Sequence, residues 1–167
     1  MLVLAGPGSG KTTFLQTCVM SIAKNYSPNE VNIYALDFGS WSLNLFSKLP
    51  HMGGVANDND EEKINKLISM ISEELDTRKK NFSMNGIINI KAYNQMSQEK
   101  YPYIILMADN LASVFTLYPE LDSFFIKLAR EGASYGIYIL ATTGTSGGVS
   151  YKITSNIRNS IALQMKD

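Results

Sequence analysis

Short unbroken apolar runs alternate with helical stripes along most of this chain. Leu2-Val3-Leu4-Ala5, Val31-Asn32-Ile33-Tyr34-Ala35-Leu36, Tyr103-Ile104-Ile105-Leu106-Met107-Ala108 and Ile137-Tyr138-Ile139-Leu140-Ala141 have the length and branched content of buried strands, and Ile161-Ala162-Leu163-Gln164-Met165 reads as the final one. Between them the spacing turns helical. Phe14, Leu15, Cys18, Val19 and Ile22 line one side of a first helix; Ile64, Leu67, Ile68, Ile71 and Leu75 make the stripe of the longest; Leu121, Phe124, Phe125 and Leu128 mark another, running on to Arg130-Glu131-Gly132. The long helix opens on Asp58-Asn59-Asp60-Glu61-Glu62, where acids suit the positive end of the dipole, and Asn85-Gly86 marks its stop. Shorter helical pieces are expected around Leu43 to Lys48, at Ile90 to Met96 and at Ile153 to Ile157. Leu49 to Val55 reads as a turn with a short extended piece, and Gly144 to Gly148 as a flexible loop.

The first strand leads into Ala5-Gly6-Pro7-Gly8-Ser9-Gly10-Lys11-Thr12, which has the form of a phosphate-binding loop. Small residues are needed there because the backbone must curl until several N–H groups converge on one phosphate. Gly6, Gly8 and Gly10 allow that curl, with Pro7 and Ser9 between them. Lys11 stands where an ammonium can bridge the outer phosphates, Thr12 offers a hydroxyl to Mg²⁺, and the helix that begins here, Thr13 included, points its positive end at the anion. Ala5 in place of the first glycine is a small-for-small change that the loop tolerates.

The second informative stretch is the run ending at Asp109. An apolar strand closing on an acid, well downstream of a phosphate loop, has the pattern of a Walker B strand, with Asp109 on the metal side of the site. ATPases of the additional-strand type place a glutamate directly after that aspartate to polarise the attacking water. This chain has Asn110. An amide cannot accept a proton at neutral pH, and losing a general base costs on the order of 10²–10⁴ in rate, so slow or absent hydrolysis is expected. Thr143, at the end of the following strand, is the candidate sensor of the γ-phosphate; a plain strand-terminating turn is the other reading. Asp37 ends the second strand, where a carboxylate either faces the ligand crevice or caps the short helix that follows. His51 has no cysteine or second histidine near it in sequence and reads as structural.

Composition narrows the function classes. The 167 residues are 45% hydrophobic and 18% charged, which fits one compact domain over 1–167. Fifteen basic and fifteen acidic residues cancel, so the surface has no overall basic bias of the kind nucleic-acid wrapping requires. Arg78-Lys79-Lys80 is read as a solvated, dipole-matched helix end, with a DNA contact as the alternative. Lone Cys18 excludes an internal disulfide and suits a reducing compartment. No apolar run approaches membrane-spanning length and no signal peptide is present, so the module is expected to be soluble, and its abrupt ends suggest a piece of a longer protein.

With the phosphate loop, Asp37-Phe38-Gly39, Leu49-Pro50-His51-Met52-Gly53-Gly54-Val55, Asp109-Asn110 and Arg130-Glu131-Gly132-Ala133-Ser134-Tyr135-Gly136-Ile137 all in this order, the chain resembles the FtsK/SpoIIIE ATPases. Within them it looks most like a downstream ATPase module of the EssC/EccC family of type VII secretion. The resemblance spans nearly the whole chain. It implies an α/β fold of the RecA-like P-loop NTPase kind, a mostly parallel sheet flanked by helices on both faces. It also implies ATP and Mg²⁺ as ligands, a parent chain of several such modules that can oligomerise, and membrane contact only through other parts of that parent, so the module sits on the cytoplasmic side of the cell membrane. Secreted proteins with a C-terminal export signal would dock on one of the modules. Gly10, Lys11, Thr12 and Asp109 match the family positions. Asn110 departs from the catalytic glutamate, Ala133 stands where many members carry an arginine, and Thr143 stands where DNA translocases carry a glutamine. The departures favour a binding module coupled to protein export over the alternative, an ATP-driven DNA translocase.

Overall fold

The computed structural model describes residues 1–144 and 148–163. Six strands form one sheet in the order β3-β2-β4-β5-β1-β6: β1 (Leu2–Leu4), β2 (Val31–Asp37), β3 (Met52–Asn57), β4 (Tyr103–Asp109), β5 (Ile137–Thr143) and β6 (Ser160–Ala162). Every neighbouring pair is parallel. Parallel strands need crossovers, and the helices that supply them cover both faces of the sheet. They are α1 (Lys11–Asn25), α2 (Glu61–Met84), α3 (Ile90–Met96), α4 (Leu111–Leu117), α5 (Asp122–Glu131) and α6 (Tyr151–Thr154). The strand inserted between phosphate-loop strand β1 and acid-bearing strand β4 is β5.

Strand alternation divides the core in two. Val3, Ile33, Ala35, Met107 and Leu140 pack on one face with Leu15 and Val19 of α1 and with Leu43. Leu2, Leu36, Leu106, Ala108, Ile139 and Ala141 pack on the other with Ile64, Ile71 and Leu75 of α2, Val114 of α4, and Phe125 and Leu128 of α5. Each fully buried aliphatic side chain of this kind contributes roughly 1.5–3 kcal/mol by leaving water. The register matters for the site. Asp37 is paired with Asp109, and Ala108 with Ala141, so the odd positions of β4 and the even positions of β5 share the α1 face.

Most elements lie where the hydrophobic pattern puts them. Asp60 caps α2, accepting from the Lys63 N–H at 3.0 Å, and Asn85 caps the other end, with Gly86 following in the left-handed region at φ 64°. The short helix expected around Leu43 to Lys48 is a 3-10 segment over Ser42–Phe46. Helix α4, which follows β4 with one residue between, has no counterpart in the pattern reading, because the seven residues of Leu111–Leu117 are too few for a helical stripe to stand out. Thr145 to Gly147 of the expected loop, and Gln164 and Met165 of the expected last strand, lie outside the described residues.

The basic trio requires a correction. Helix α2 runs on to Met84, so Arg78 is not at its end, and Arg78 is completely buried. Its Nε donates to Glu74 Oε1 at 2.7 Å and its Nη1 to the Tyr135 carbonyl at 2.8 Å, while the guanidinium lies 4.6 Å above the Tyr101 ring. Phe82, Tyr93 and Tyr135 complete an aromatic cluster around it. Lys79 pairs with Glu131 at 2.6 Å. The trio is therefore one structural cation, one surface ion pair and Lys80, and not a solvated run.

Candidate nucleotide site

The residues singled out by the sequence converge at the carboxyl end of the sheet. After Leu4 the chain turns through Gly6 to Gly10 and enters α1 at Lys11, with Gly10 as the residue before the helix. Gly8 and Gly10 adopt φ of 73° and 84°, a region that L side chains rarely occupy, and a β-carbon on either would meet nothing within 4 Å. Glycine is required here by the backbone, and the space above the loop is open. Lys11 Nζ donates to the carbonyls of Ala5 and Gly6, both at 2.8 Å, which holds the ammonium over the loop. Pro7 and Ser9 lie in the turn, where the Ser9 N–H donates to the Gly6 carbonyl at 3.3 Å, and Thr13 follows Thr12 in the first turn of α1.

Thr12 and Asp109 meet across the crevice. The Thr12 hydroxyl donates to Asp109 Oδ2 at 2.9 Å, joining the end of the phosphate loop to the end of β4. A hydroxyl and a carboxylate in contact are the hard oxygen donors that Mg²⁺ takes when it is held by few protein groups and by phosphates. Among the described residues no cluster of three or more His, Cys, Asp or Glu side chains offers an all-protein metal cage. The donor set thus fits a nucleotide-linked Mg²⁺, which Thr12 and Asp109 could hold.

Asn110 follows Asp109 directly and adopts the left-handed conformation at φ 64°, which asparagine tolerates better than most residues. Its amide nitrogen donates to Ser113 Oγ and, at 3.4 Å, to the Phe38 carbonyl. The side chain is tied to its own protein surroundings and has no basic atom to offer. Thr143 is buried at the end of β5, where its carbonyl accepts the Ala5 N–H at 3.2 Å.

The residue that sequence reasoning missed is Thr142. It is completely buried, and its hydroxyl donates to Asp109 Oδ1 at 2.6 Å. By alternation Thr142 shares the α1 face with Asp109, and Thr143 takes the other face. Two adjacent threonines look alike in sequence; only the register against β4 separates them.

Asp37 resolves in favour of the cap. Its carboxylate accepts the Leu43 N–H at 2.8 Å, the Trp41 N–H at 3.1 Å and the Gly39 N–H at 3.3 Å, shaping the turn after β2. Burial pushes its carboxyl above the usual carboxylate range, and the nearby charge of Asp109 adds to that, against the opposing pull of the three N–H groups. His51 is structural as read, with Nε2 at 2.8 Å from the Tyr26 carbonyl.

Comparison with known proteins agrees with this geometry. The FtsK/SpoIIIE family model matches residues 1–167. The ESX secretion system protein YukB of Bacillus subtilis (strain 168) is 34% identical over 165 residues, which is 99% of this chain and 11% of YukB. The chain therefore spans about a tenth of the length of such relatives. Among solved structures, the cytoplasmic domain of EssC superposes with a TM-score of 0.94 at 33% identity, covering 99% of this chain and 33% of that one. Thermomonospora curvata EccC (ATPases 2 and 3), in complex with a signal sequence peptide, superposes with a TM-score of 0.93 at 28% identity, covering 99% of this chain and 31% of that one. The chain belongs to the FtsK/SpoIIIE family, as an ATPase domain of the EssC/EccC type with a RecA-like P-loop fold.

Proposed function

We propose that this domain binds MgATP as a held or slowly turned-over ligand and couples its binding to protein export within a multi-module type VII secretion motor. The observation that carries the reading is the state of Asn110: the position that would activate water is an amide bonded to Ser113 and Phe38. In this reading Gly6, Pro7, Gly8, Ser9 and Gly10 cradle the phosphates with their backbone, Lys11 and Thr13 contact them, and Thr12 and Asp109 hold Mg²⁺. When bound, Mg²⁺ would draw charge from the outer phosphates. Thr143 would register the γ-phosphate end from β5. Without a general base, turnover falls by about 10²–10⁴ relative to a competent site.

Partners follow from the relatives. A signal sequence peptide is bound by the Thermomonospora curvata EccC modules; here export signals of secreted proteins would dock on modules of the same parent chain, which oligomerises on the cytoplasmic side of the membrane. Among the described residues no helix is long and apolar enough to cross a membrane, so membrane attachment would lie in other parts of the parent. The alternative, a DNA translocase motor, loses its main surface feature. Arg78 is buried and Lys79 is paired with Glu131, so the trio is not a basic patch, and the net charge is zero.

Calorimetric titration with MgATP, run beside a phosphate-release assay with and without double-stranded DNA, tests the reading. Binding with little turnover, indifferent to DNA, is the expected result. DNA-stimulated hydrolysis that disappears in Lys11→Ala would overturn it in favour of the translocase.

A further inference from the structure

Asp109 is 2% exposed, and its two oxygens have different fates. Oδ2 accepts from Thr12 at the phosphate loop, while Oδ1 accepts from Thr142 on β5. The Thr142 hydroxyl in turn accepts the backbone N–H of Asn110 at 2.9 Å. A hydroxyl has one hydrogen, and an N–H can only donate, so this short chain has one direction: Asn110 N–H to Thr142 Oγ1, Thr142 O–H to Asp109 Oδ1. The direction leaves Thr142 no freedom to rotate toward another partner, and so it leaves the Asp109 carboxylate little freedom either.

We infer that Thr142 is a positioning residue for the Mg²⁺ site: through its hydroxyl it locks the Asp109 carboxylate with Oδ2 toward Thr12, and anchors the turn at Asn110 to the same strand. The inference rests on the MgATP reading above and adds to it a residue that need not touch nucleotide or metal. The fold explains the placement. Because β5 lies between β1 and β4, and because Thr142 and Asp109 share the α1 face, this hydroxyl reaches the carboxylate from the strand that separates the two halves of the site. Partners of this kind, which orient a metal-bound carboxylate, typically change metal affinity by about 10–100-fold when removed.

The test separates metal binding from phosphate binding. Affinity for a fluorescent ATP analogue is measured in excess Mg²⁺ and in EDTA, and the ratio of the two is compared among wild type, Thr142→Val and Thr142→Ser. Valine keeps the shape and removes the hydroxyl; serine restores it. The ratio is expected to fall by about tenfold in Thr142→Val, with EDTA affinity within about twofold of wild type, and to return in Thr142→Ser. An unchanged ratio in Thr142→Val, or an equal loss with and without Mg²⁺, would overturn the inference. If Thr142→Val does not fold, Thr142→Cys takes its place, since a thiol is a weak donor of similar size, and the same two outcomes decide. Wild type that ignores MgATP altogether would overturn the underlying reading, and that result appears before any substitution is made.

Discussion

A β-carbon placed on Gly39 would stand 2.5 Å from Oδ2 of Asp109, closer than a β-carbon comes to any atom it is not bonded to. The turn that brings Gly39 there is held by Asp37, and the Phe38 N–H donates to the Asp109 carbonyl at 3.1 Å, so the turn cannot simply swing away. Gly39→Ala is therefore expected to push the carboxylate off Thr12 at an overpacking cost of about 1–3 kcal/mol. MgATP affinity should drop with the thermal midpoint, and both can be read from thermal melts with and without ligand.

Lys11→Ala removes the only side-chain ammonium of the loop, whose two bonds to the Ala5 and Gly6 carbonyls hold it over the open space above Gly8 and Gly10. Charge-assisted hydrogen bonds contribute about 1.5–3 kcal/mol each, so a roughly 10–150-fold loss of ATP affinity is expected. Because the amine is only partly buried, the urea midpoint should hardly move. Calorimetry and equilibrium unfolding on one preparation check both halves.

Arg78 carries a stability prediction that is independent of nucleotide. Its head is shared between Glu74, the Tyr135 carbonyl and the Tyr101 ring, and the whole side chain is buried. Arg78→Ala is expected to cost about 2–5 kcal/mol, in the range of other large-to-small core changes. Arg78→Met, which refills the volume without the charge, should cost markedly less. Urea unfolding measures both, and MgATP affinity of the folded protein should be unaltered.

These residues also show what could and could not be seen in the chain. The phosphate loop and Asp109 are legible because their chemistry is local: glycine spacing, a lysine-threonine pair, an apolar run closing on an acid. The elements follow for the same reason, since strand and helix periods are written into neighbouring positions. Arg78 was not legible as a core residue. Its burial depends on Tyr101 and Tyr135, far along the chain, and a basic trio near a helix end looks solvated without them. Thr142 was hidden by Thr143. Which of the two faces Asp109 depends on strand register, a relation between β4 and β5 that neither segment carries alone. Helix α4 escaped because its seven residues, two positions after the strand's closing acid, are too few for a helical stripe to stand out.

Asp37 makes stability depend on pH in a particular direction. Its pKa in the folded state is raised, chiefly by burial, above the ordinary value of 3.8, so the folded state binds the proton more tightly than the unfolded one. Stability from this group is then greatest at low pH and falls as pH rises from that value through the raised folded pKa. Asp37→Asn abolishes the titration, and its amide NH₂ cannot accept all three N–H bonds, which leaves a buried donor unpaired at a cost of about 1–3 kcal/mol. The advantage of wild type over Asp37→Asn should widen as pH is lowered toward about 4 and narrow toward 7. Paired urea melts across that range give the sign directly.

Asn110→Glu tests whether the slow turnover proposed above comes from the lack of a base. A glutamate here regains a group that can take a proton from water, next to a carboxylate already held by Thr12 and Thr142. It also inherits a left-handed backbone that disfavours residues other than glycine, asparagine and aspartate by about 1–2 kcal/mol, and it gives up the donors to Ser113 and Phe38. The variant should therefore be less stable than wild type, and phosphate release should rise by about tenfold or more, short of the full 10²–10⁴ of a well-placed base. Binding of MgATP should change little, because Asn110 is not among the residues that cradle the phosphates. Single-turnover phosphate release distinguishes the cases: a gain that Lys11→Ala removes locates the deficit at the base. No gain from a folded, nucleotide-binding variant would place it elsewhere.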